Sequence, residues 1–422
     1  MDISTGEEAD SPKWGELLGS NNWANLLVPL NLSLRQLILR CGDFCQATYD
    51  AFNNDTNSKY CGSSRYGKES FFSKVMLEND TNYNVVSFLY ATARVSLPEA
   101  FMLHSMSRES WDRESNWIGY IAVTSDDVSK ALGRREVYVA WRGTTRNYEW
   151  VNVLGAEFES AESLLNPNTK HELGRRDDND TSSGSDSEKD KSLPKVMRGW
   201  LTIYVSDDPK SPFVKSSARV QLLTKLKELR EKYKEEKLSI VMTGHSLGAS
   251  LSVVSAFDLA ENGFSDIPVS AFVFGSPQIG NKAFKQRMER YPNLKILHIR
   301  NKIDLIPHYP GRLLGYVGVG TELVIDTRKS PSLKESKNPS DWHNLQASLH
   351  VVAGWNGEEG GFEEKVKRSL ALVNKSSACL KEECLVPESW WVEKNKGMVL
   401  DQSSGDWVLA PPLDEDLPVP EL

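Results

Sequence analysis

The sequence of 422 residues predicts an α/β fold, in which a central and mostly parallel β-sheet is flanked by helices. Apolar strand-like runs alternate with segments of helical periodicity through the middle of the chain. In the clearest case the apolar run 238–243 is followed, after one tight turn, by the small-residue segment 249–260. We expect one large α/β unit with terminal extensions, because such folds often reach this length as a single domain.

The chain is predicted to have three parts. Residues 1–115 form an N-terminal helical cap region, in which apolar side chains recur at helical spacing from Leu34 to Cys41. Residues 116–355 form the core, whose sheet is expected to begin with the strand at 117–124 and to continue at 137–141. Residues 356–422 form a C-terminal extension that is rich in Trp, Pro and acidic residues.

A polar insertion interrupts the predicted core between Lys170 and Lys195. Asp, Ser, Gly, Lys and Arg dominate it and almost nothing in it can be buried, so a mobile surface loop is expected. After the insertion, four apolar residues spaced by four, three and four predict an amphipathic helix: Leu222, Leu226, Leu229 and Tyr233.

Composition excludes several classes of partner. The net charge of −8 argues against nucleic acid, which requires clustered Lys and Arg in excess, and against electrostatic docking on anionic membranes. No apolar run approaches the length of about 18 residues that a membrane span needs. The five cysteines lack zinc-site spacing and are interpreted as reduced thiols. Residues 1–14 resemble neither a signal nor a transit peptide, so the cytosol is the expected compartment.

Residues 244–248 carry the strongest chemical signal, Gly-His-Ser-Leu-Gly between a strand and a helix. This pattern is typical of a nucleophile elbow, where glycines on either side let the strand and the helix approach closely. The side chain of Ser246 then stands at the N-terminus of a helix, whose N–H groups and dipole stabilise a developing oxyanion. His245 is expected to pack under the turn, since adjacent side chains diverge at an elbow.

A serine nucleophile needs an imidazole as its base and a carboxylate that orients the imidazole, and in this fold the acid precedes the histidine. Asp304 follows a predicted strand and lies where ligand crevices open in α/β sheets. Asp326, which ends another apolar run, is its competitor, and either carboxylate could instead cap a turn.

Two histidines remain as candidates for the base. His343 and His350 are seven residues apart, close to two helical turns, and would face the same side of a helix. His343 lies nearer the sheet and is favoured, although spacing alone leaves His350 open. His298 falls inside a predicted strand and is interpreted as a packing residue.

At these positions the sequence resembles the fungal-type (class 3) lipases, and more closely the plant class II phospholipase A1 group. Four segments carry the resemblance, an Arg-Gly-Thr oxyanion motif, the elbow, the acid loop and the histidine motif: 141–144, 244–248, 301–307 and 343–349. The resemblance implies an α/β-hydrolase fold and a triad of Ser246, Asp304 and His343. It also implies that the N–H groups of Leu247 and Thr144 form the oxyanion hole.

The resemblance further implies a lid over Asn147 to Phe158, an amphipathic segment that would make transient contact with a membrane surface. The alternative is a helix that packs permanently on the core. One departure is the sequence Val-Met-Arg-Gly-Trp at 196–200, where members of the group often carry Val-His before a Gly-Phe pair. This difference bears on substrate preference rather than on the type of reaction.

The resemblance implies hydrolysis of the sn-1 acyl ester of phospholipids, with galactolipids or acylglycerols as further substrates. No metal or organic cofactor is expected, because the triad and water complete the reaction. The alternatives are a neutral-glyceride lipase or general esterase with the same triad, and a lipase-like lipid-binding scaffold without activity. The oligomeric state is not predicted.

Overall fold

The computed structural model describes residues 12–58, 60–77, 82–92, 115–144, 156–167, 193–211, 214–391 and 398–409. Nearly all of the predicted insertion lies outside these residues. The helices are α1 (Trp14–Leu17), α2 (Leu32–Asp50), α3 (Phe71–Lys74), α4 (Asp126–Leu132), α5 (Arg198–Val205), α6 (Ala218–Lys232), α7 (Leu247–Glu261), α8 (Lys282–Met288), α9 (Pro339–Trp342) and α10 (Leu345–Gly354). The strands are β1 (Tyr83–Thr92), β2 (Ser115–Thr124), β3 (Arg135–Trp141), β4 (Phe158–Ser160), β5 (Lys195–Met197), β6 (Leu238–His245), β7 (Val269–Phe274), β8 (Leu294–Asn301), β9 (Thr321–Ile325), β10 (Met398–Leu400) and β11 (Trp407–Leu409).

Seven strands form the central sheet in the order β1-β2-β3-β6-β7-β8-β9. The pairs β1–β2 and β2–β3 are antiparallel, whereas β3–β6, β6–β7 and β7–β8 are parallel. The α/β-hydrolase fold class predicted from sequence is therefore confirmed. Because parallel strands run in one direction, the carboxyl ends of β3, β6, β7 and β8 lie at the same edge of the sheet.

The sheet begins earlier in the chain than the sequence predicted. Its first strand is β1, which lies within the segment interpreted as a helical cap and pairs with β2. The sequence Tyr-Asn-Val-Val-Ser-Phe-Leu-Tyr-Ala-Thr is rich in aromatic and β-branched residues, which favour strands. Its side chains do not alternate cleanly between buried and exposed, so periodicity alone did not separate this strand from helical sequence.

Both faces of the sheet are covered, which is why its inner strands are apolar throughout. Every residue of β3 is buried, and Val137, Val139 and Trp141 join the core that also contains residues of α5, α6 and α7. On the opposite face, the Tyr138 ring stands edge-on to Phe44 of α2, with 4.9 Å between the ring centroids. The Tyr120 hydroxyl of β2 donates to the carbonyl oxygen of Phe44 over 2.8 Å.

The chain divides into two compact units, which differ from the three segments predicted from sequence. The first unit comprises residues 1–24, 40–300 and 305–323, and the second comprises residues 25–39, 301–304 and 324–422. The second unit has its own apolar cluster, in which Ala371, Trp390, Met398 and Trp407 are buried. Trp390 and Trp407 of the predicted C-terminal extension are therefore core residues of a unit that also contains α10. No helix of the described residues is long and apolar enough to cross a membrane.

Candidate active site

Ser246 stands at the junction between β6 and α7, in a strained backbone conformation. Its φ is 60° and its ψ is −124°, in a region that residues with a Cβ rarely occupy and that costs about 1–3 kcal/mol. The Ser246 N–H donates to the carbonyl oxygen of Phe274 at the end of β7 over 3.0 Å. The side chain is 2% exposed, and its Oγ has no hydrogen-bond partner among the described residues. The turn therefore holds a hydroxyl at the helix N-terminus without engaging it elsewhere.

The glycines around this turn have a steric role. A Cβ on Gly244 would overlap with the backbone of Gly248, and a Cβ on Gly248 would overlap with the carbonyl oxygen of Trp141 in β3. The elbow can therefore lie directly against the end of β3 only because both positions lack a side chain. Leu247 is the first residue of α7, so its N–H belongs to the first turn, where backbone donors have no partner within the helix.

Arg142 fixes the segment that carries Thr144. Its guanidinium is buried over the ring of Phe52, donates to the carbonyl oxygen of Trp117 over 3.0 Å, and donates to that of Gly143 over 3.1 Å. In a trans peptide the N–H points away from the carbonyl, so a fixed Gly143 carbonyl also fixes the direction of the Thr144 N–H. Burial lowers the pKa of Arg142 to about 10, which leaves it charged at neutral pH. Arg142 belongs to the predicted Arg-Gly-Thr motif, but its role in fixing the Gly143 carbonyl depends on contacts that the sequence does not show.

His245 is held beneath the elbow by Tyr49 of α2. The Tyr49 hydroxyl lies 2.9 Å from His245 Nδ1, and a Cβ on Gly143 would overlap with that hydroxyl. Tyr49 thus touches both the elbow and the Arg142 segment, and burial raises the pKa of its phenol well above 10, so it stays protonated. The position of His245 agrees with the expectation that it packs under the turn.

The structure brings Asp304 and His343 together in the second unit. Asp304 Oδ2 lies 2.6 Å from His343 Nδ1, and the exposed fractions of the two side chains are 2% and 11%. A short contact between a buried carboxylate and Nδ1 is the arrangement that orients an imidazole to act as a base through its other nitrogen. Ser246 belongs to the first unit, and its action together with this pair stays a prediction.

Asn301 connects the loop of Asp304 to the loop of His343. Its Nδ2 donates to Thr327 Oγ1 over 2.9 Å and to the carbonyl oxygen of Trp342, directly before His343, over 2.8 Å. Its own carbonyl oxygen accepts from the Asp304 N–H over 3.1 Å. In the sequence Asn301 is recognisable only as the start of the acid-loop motif, since a residue that links two loops leaves no periodic signal.

The other residues considered for the roles of acid and base have other hydrogen-bond partners. Asp326 accepts from the N–H and guanidinium of Arg328, so it caps the turn Thr327–Lys329, and Arg328 lowers the pKa of its carboxyl. His350 lies within α10, where its Nε2 is 2.8 Å from the hydroxyl of Ser330. His298 is buried in β8 and its Nε2 accepts from the Ser276 N–H over 3.0 Å, as expected for a packing residue.

A cavity of about 490 Å³ opens in the first unit beside the segments that follow β7 and β8. Its walls include His298, Arg300 and Arg312 but none of the predicted catalytic or oxyanion residues. Within the described ranges, no group of three or more His, Cys, Asp or Glu side chains is arranged to hold a metal ion. The predicted lid at 147–158 lies mostly outside the described residues, which resume at 156.

The parallel sheet and the elbow define an α/β-hydrolase. The profile of the lipase (class 3) family matches residues 138–314. The chain is 65% identical over 409 residues to Phospholipase A1-IIdelta of Arabidopsis thaliana, covering 97% of this chain and 98% of that protein. It is 50% identical to Phospholipase A1-II 5 of Oryza sativa subsp. japonica, covering 99% and 87%. Among solved structures, the nonglycosylated LIP2 lipase of Yarrowia lipolytica aligns with a TM-score of 0.44 and 15% identity, covering 71% and 82%.

The chain belongs to the class 3 lipase family and, within it, to the plant phospholipase A1-II group. It is a carboxylic ester hydrolase of the lipase type.

Proposed function

We propose that this chain is a phospholipase A1, which hydrolyses the sn-1 acyl ester of phospholipids with Ser246 as nucleophile. The observation that carries the proposal is the 2.6 Å contact between Asp304 and His343, found on the two loops where the sequence predicted an acid and a base. The choice of phospholipid as substrate is supported by the names of the relatives, of which one is 65% identical over nearly the whole chain.

In the proposed mechanism, Ser246 Oγ attacks the carbonyl carbon of the ester while His343 Nε2 accepts the hydroxyl proton. Asp304 keeps the remaining proton on His343 Nδ1 and stabilises the imidazolium that forms. The N–H groups of Leu247 and Thr144 bind the oxyanion of the tetrahedral intermediate, and the loss of one such donor typically costs about 10²- to 10³-fold in kcat.

His343 then protonates the leaving lysophospholipid oxygen, and the acyl group remains on Ser246. Water, deprotonated by His343, attacks the acyl-enzyme and releases the fatty acid with Ser246 regenerated. Each of these steps uses groups of the chain and water.

The test is fatty-acid release from phosphatidylcholine vesicles whose sn-1 and sn-2 chains differ. The wild-type protein should release the sn-1 chain first, and Ser246→Ala should lower the rate by at least about 10⁴-fold, because it removes the nucleophile. Ser250→Ala is the matched control. This serine lies one turn further along α7, is buried, and its hydroxyl has no hydrogen-bond partner among the described residues. The rate of fatty-acid release by Ser250→Ala should therefore stay close to that of wild type.

Two outcomes would reject the phospholipase A1 assignment. Release of fatty acid from triacylglycerol emulsions but not from the vesicles would identify a glyceride lipase instead. Preferential release of the sn-2 chain would retain the phospholipid substrate and reject the positional preference. Equal rates for Ser246→Ala and wild type would remove Ser246 from the mechanism.

A further inference from the structure

Two adjacent leucines are exposed in the segment that follows β8. Leu313 is 102% exposed and Leu314 is 55% exposed, in the short 3₁₀ turn Arg312–Leu314. Gly311 and Gly315 flank this turn with φ of 106° and 87°, values that favour glycine. We call residues 311–315 the leucine turn. Single exposed leucines are common, but a pair at a tip, with Leu305 54% exposed in the same segment, is typical of a contact surface.

The base of the leucine turn is fixed, so the leucines do not fold back onto the protein. Tyr316 is fully buried, stacks on Phe158 with 4.0 Å between the ring centroids, and donates its hydroxyl to the carbonyl oxygen of Ala156 over 3.1 Å. At the other end, the Gly311 N–H donates to Gln278 Oε1 over 3.1 Å. The turn therefore displays its apolar side chains from a rigid support.

The leucine turn lies on the side of the sheet to which Ser246 belongs. Ser246 follows the carboxyl end of β6, and the Gln278 contact places the turn against the segment that follows the carboxyl end of β7. Because β6 and β7 are parallel neighbours, these ends lie at one edge of the sheet. The leucine turn therefore lies near the edge of the sheet that an ester in a lipid surface must approach to reach Ser246.

The segment around the leucine turn also lacks acidic side chains. Residues 305–320 contain no Asp or Glu, and their ionisable side chains other than tyrosine are His308 and Arg312. Carboxylates would be repelled by lipid phosphates, whereas an arginine beside apolar side chains suits the boundary between headgroups and acyl chains.

We propose that the leucine turn is an interfacial anchor, which inserts Leu313 and Leu314 into a phospholipid bilayer with Arg312 at the level of the phosphates. The choice of a phospholipid bilayer as occupant rests on the function proposed above. The anchor would hold the edge that carries Ser246 against the lipid surface during successive turnovers.

The test is flotation of the full chain with vesicles of diether phosphatidylcholine, which has no acyl ester to hydrolyse. Leu313→Ser should lower the partition coefficient about tenfold, because it removes most of the apolar surface that one leucine would bury. Leu313→Trp should raise it severalfold, since tryptophan favours the membrane interface. The matched control is Leu132→Ser. Leu132 is 38% exposed at the end of α4, directly before the amino end of β3, and thus at the edge of the sheet opposite to Ser246. The substitution Leu132→Ser should leave the partition coefficient unchanged.

Equal partition of Leu313→Ser and wild type would overturn the anchor, as would an equal loss in Leu132→Ser. Because the vesicles contain no acyl ester, this result is independent of whether the protein is a phospholipase A1. In a separate assay on ester-linked vesicles and a soluble short-chain ester, Leu313→Ser should lower the ratio of the two rates about tenfold. An unchanged ratio would also overturn the proposal.

Discussion

At the scale of single residues, the candidate site combines strain with a lack of competing bonds. The positive φ of Ser246 and the missing partner of its hydroxyl are unfavourable for stability, and both keep the side chain available at the start of α7. Asp304 is the opposite case, since its carboxylate is buried and held by a short contact with His343. The hydroxyl of Ser246 is thus left available, whereas the carboxylate of Asp304 is held by His343.

Replacing Asp304 by asparagine should lower kcat about 10⁴-fold with little change in KM, because an amide at this position favours the wrong imidazole tautomer. The measurement is steady-state hydrolysis of a soluble short-chain ester. Asp326→Asn is the control, since its carboxylate caps a turn and pairs with Arg328, and it should leave kcat within about twofold of wild type. A large loss in Asp326→Asn and none in Asp304→Asn would reverse the assignment of the acid.

Among the helices and strands, those whose formation depends on local sequence lie close to their predicted positions. The predicted strand 238–243 and helix 249–260 correspond to β6 (Leu238–His245) and α7 (Leu247–Glu261), each longer by a few residues. β6 extends further because His245 continues the register with Phe274 of β7, a contact that composition does not reveal. β1 was missed because its place in the sheet depends on pairing with β2 rather than on its own periodicity.

Asn301 provides a prediction about how the two loops are held. Asn301→Ala removes hydrogen bonds to Thr327 and to the carbonyl oxygen before His343, so the imidazole should be less well positioned. We expect kcat to fall about 10- to 100-fold with a smaller change in KM. The cost in unfolding free energy should be about 1–3 kcal/mol, because buried partners lose their bonds.

Asn293→Ala is the matched control for this prediction. Asn293 also bridges backbone carbonyls, those of Phe264 and Ile267, but it joins no loop that carries a predicted catalytic residue. A comparable loss of stability with an unchanged kcat is expected. If both variants lowered kcat alike, Asn301 would have only a structural role.

At the level of the whole chain, each of the two compact units is built from segments that are far apart in the sequence. The second unit joins residues 25–39 and 301–304 to the chain beyond residue 324. Within it, Arg35 of α2 donates to the carbonyl oxygen of Trp355 over 2.8 Å, so residues 320 positions apart share a core. The cytosolic location and the lid remain predictions.

Stability of the molecule should depend on pH through His350. Burial, with a contribution from Arg368, lowers the pKa of His350 from 6.5 to about 4. The unfolded state therefore binds more protons below pH 6.5, so this contribution to stability is present above pH 6.5 and is lost as the pH falls towards 4. Between pH 7.5 and pH 5 the expected loss is about 2 kcal/mol in the free energy of unfolding.

The measurement is the free energy of urea unfolding of wild type and of His350→Gln at pH 7.5 and at pH 5. The loss between the two pH values is then compared between the two proteins. Glutamine retains an amide for the hydroxyl of Ser330 but does not titrate, so the variant should lose about 2 kcal/mol less than wild type over this range. The same loss in both proteins would show that His350 is not the titrating group.

Periodicity and turn chemistry within a few neighbouring residues predicted the α/β class, the elbow around Ser246 and a short set of candidates for the acid and the base. From that set, the family resemblance selected Asp304 and His343. The tertiary structure shows the contact between Asp304 and His343, the other partners of Asp326 and His350, and the supporting contacts of Arg142 and Asn301. Such contacts join residues far apart along the chain, and their formation depends on the packing of the completed fold rather than on local propensity.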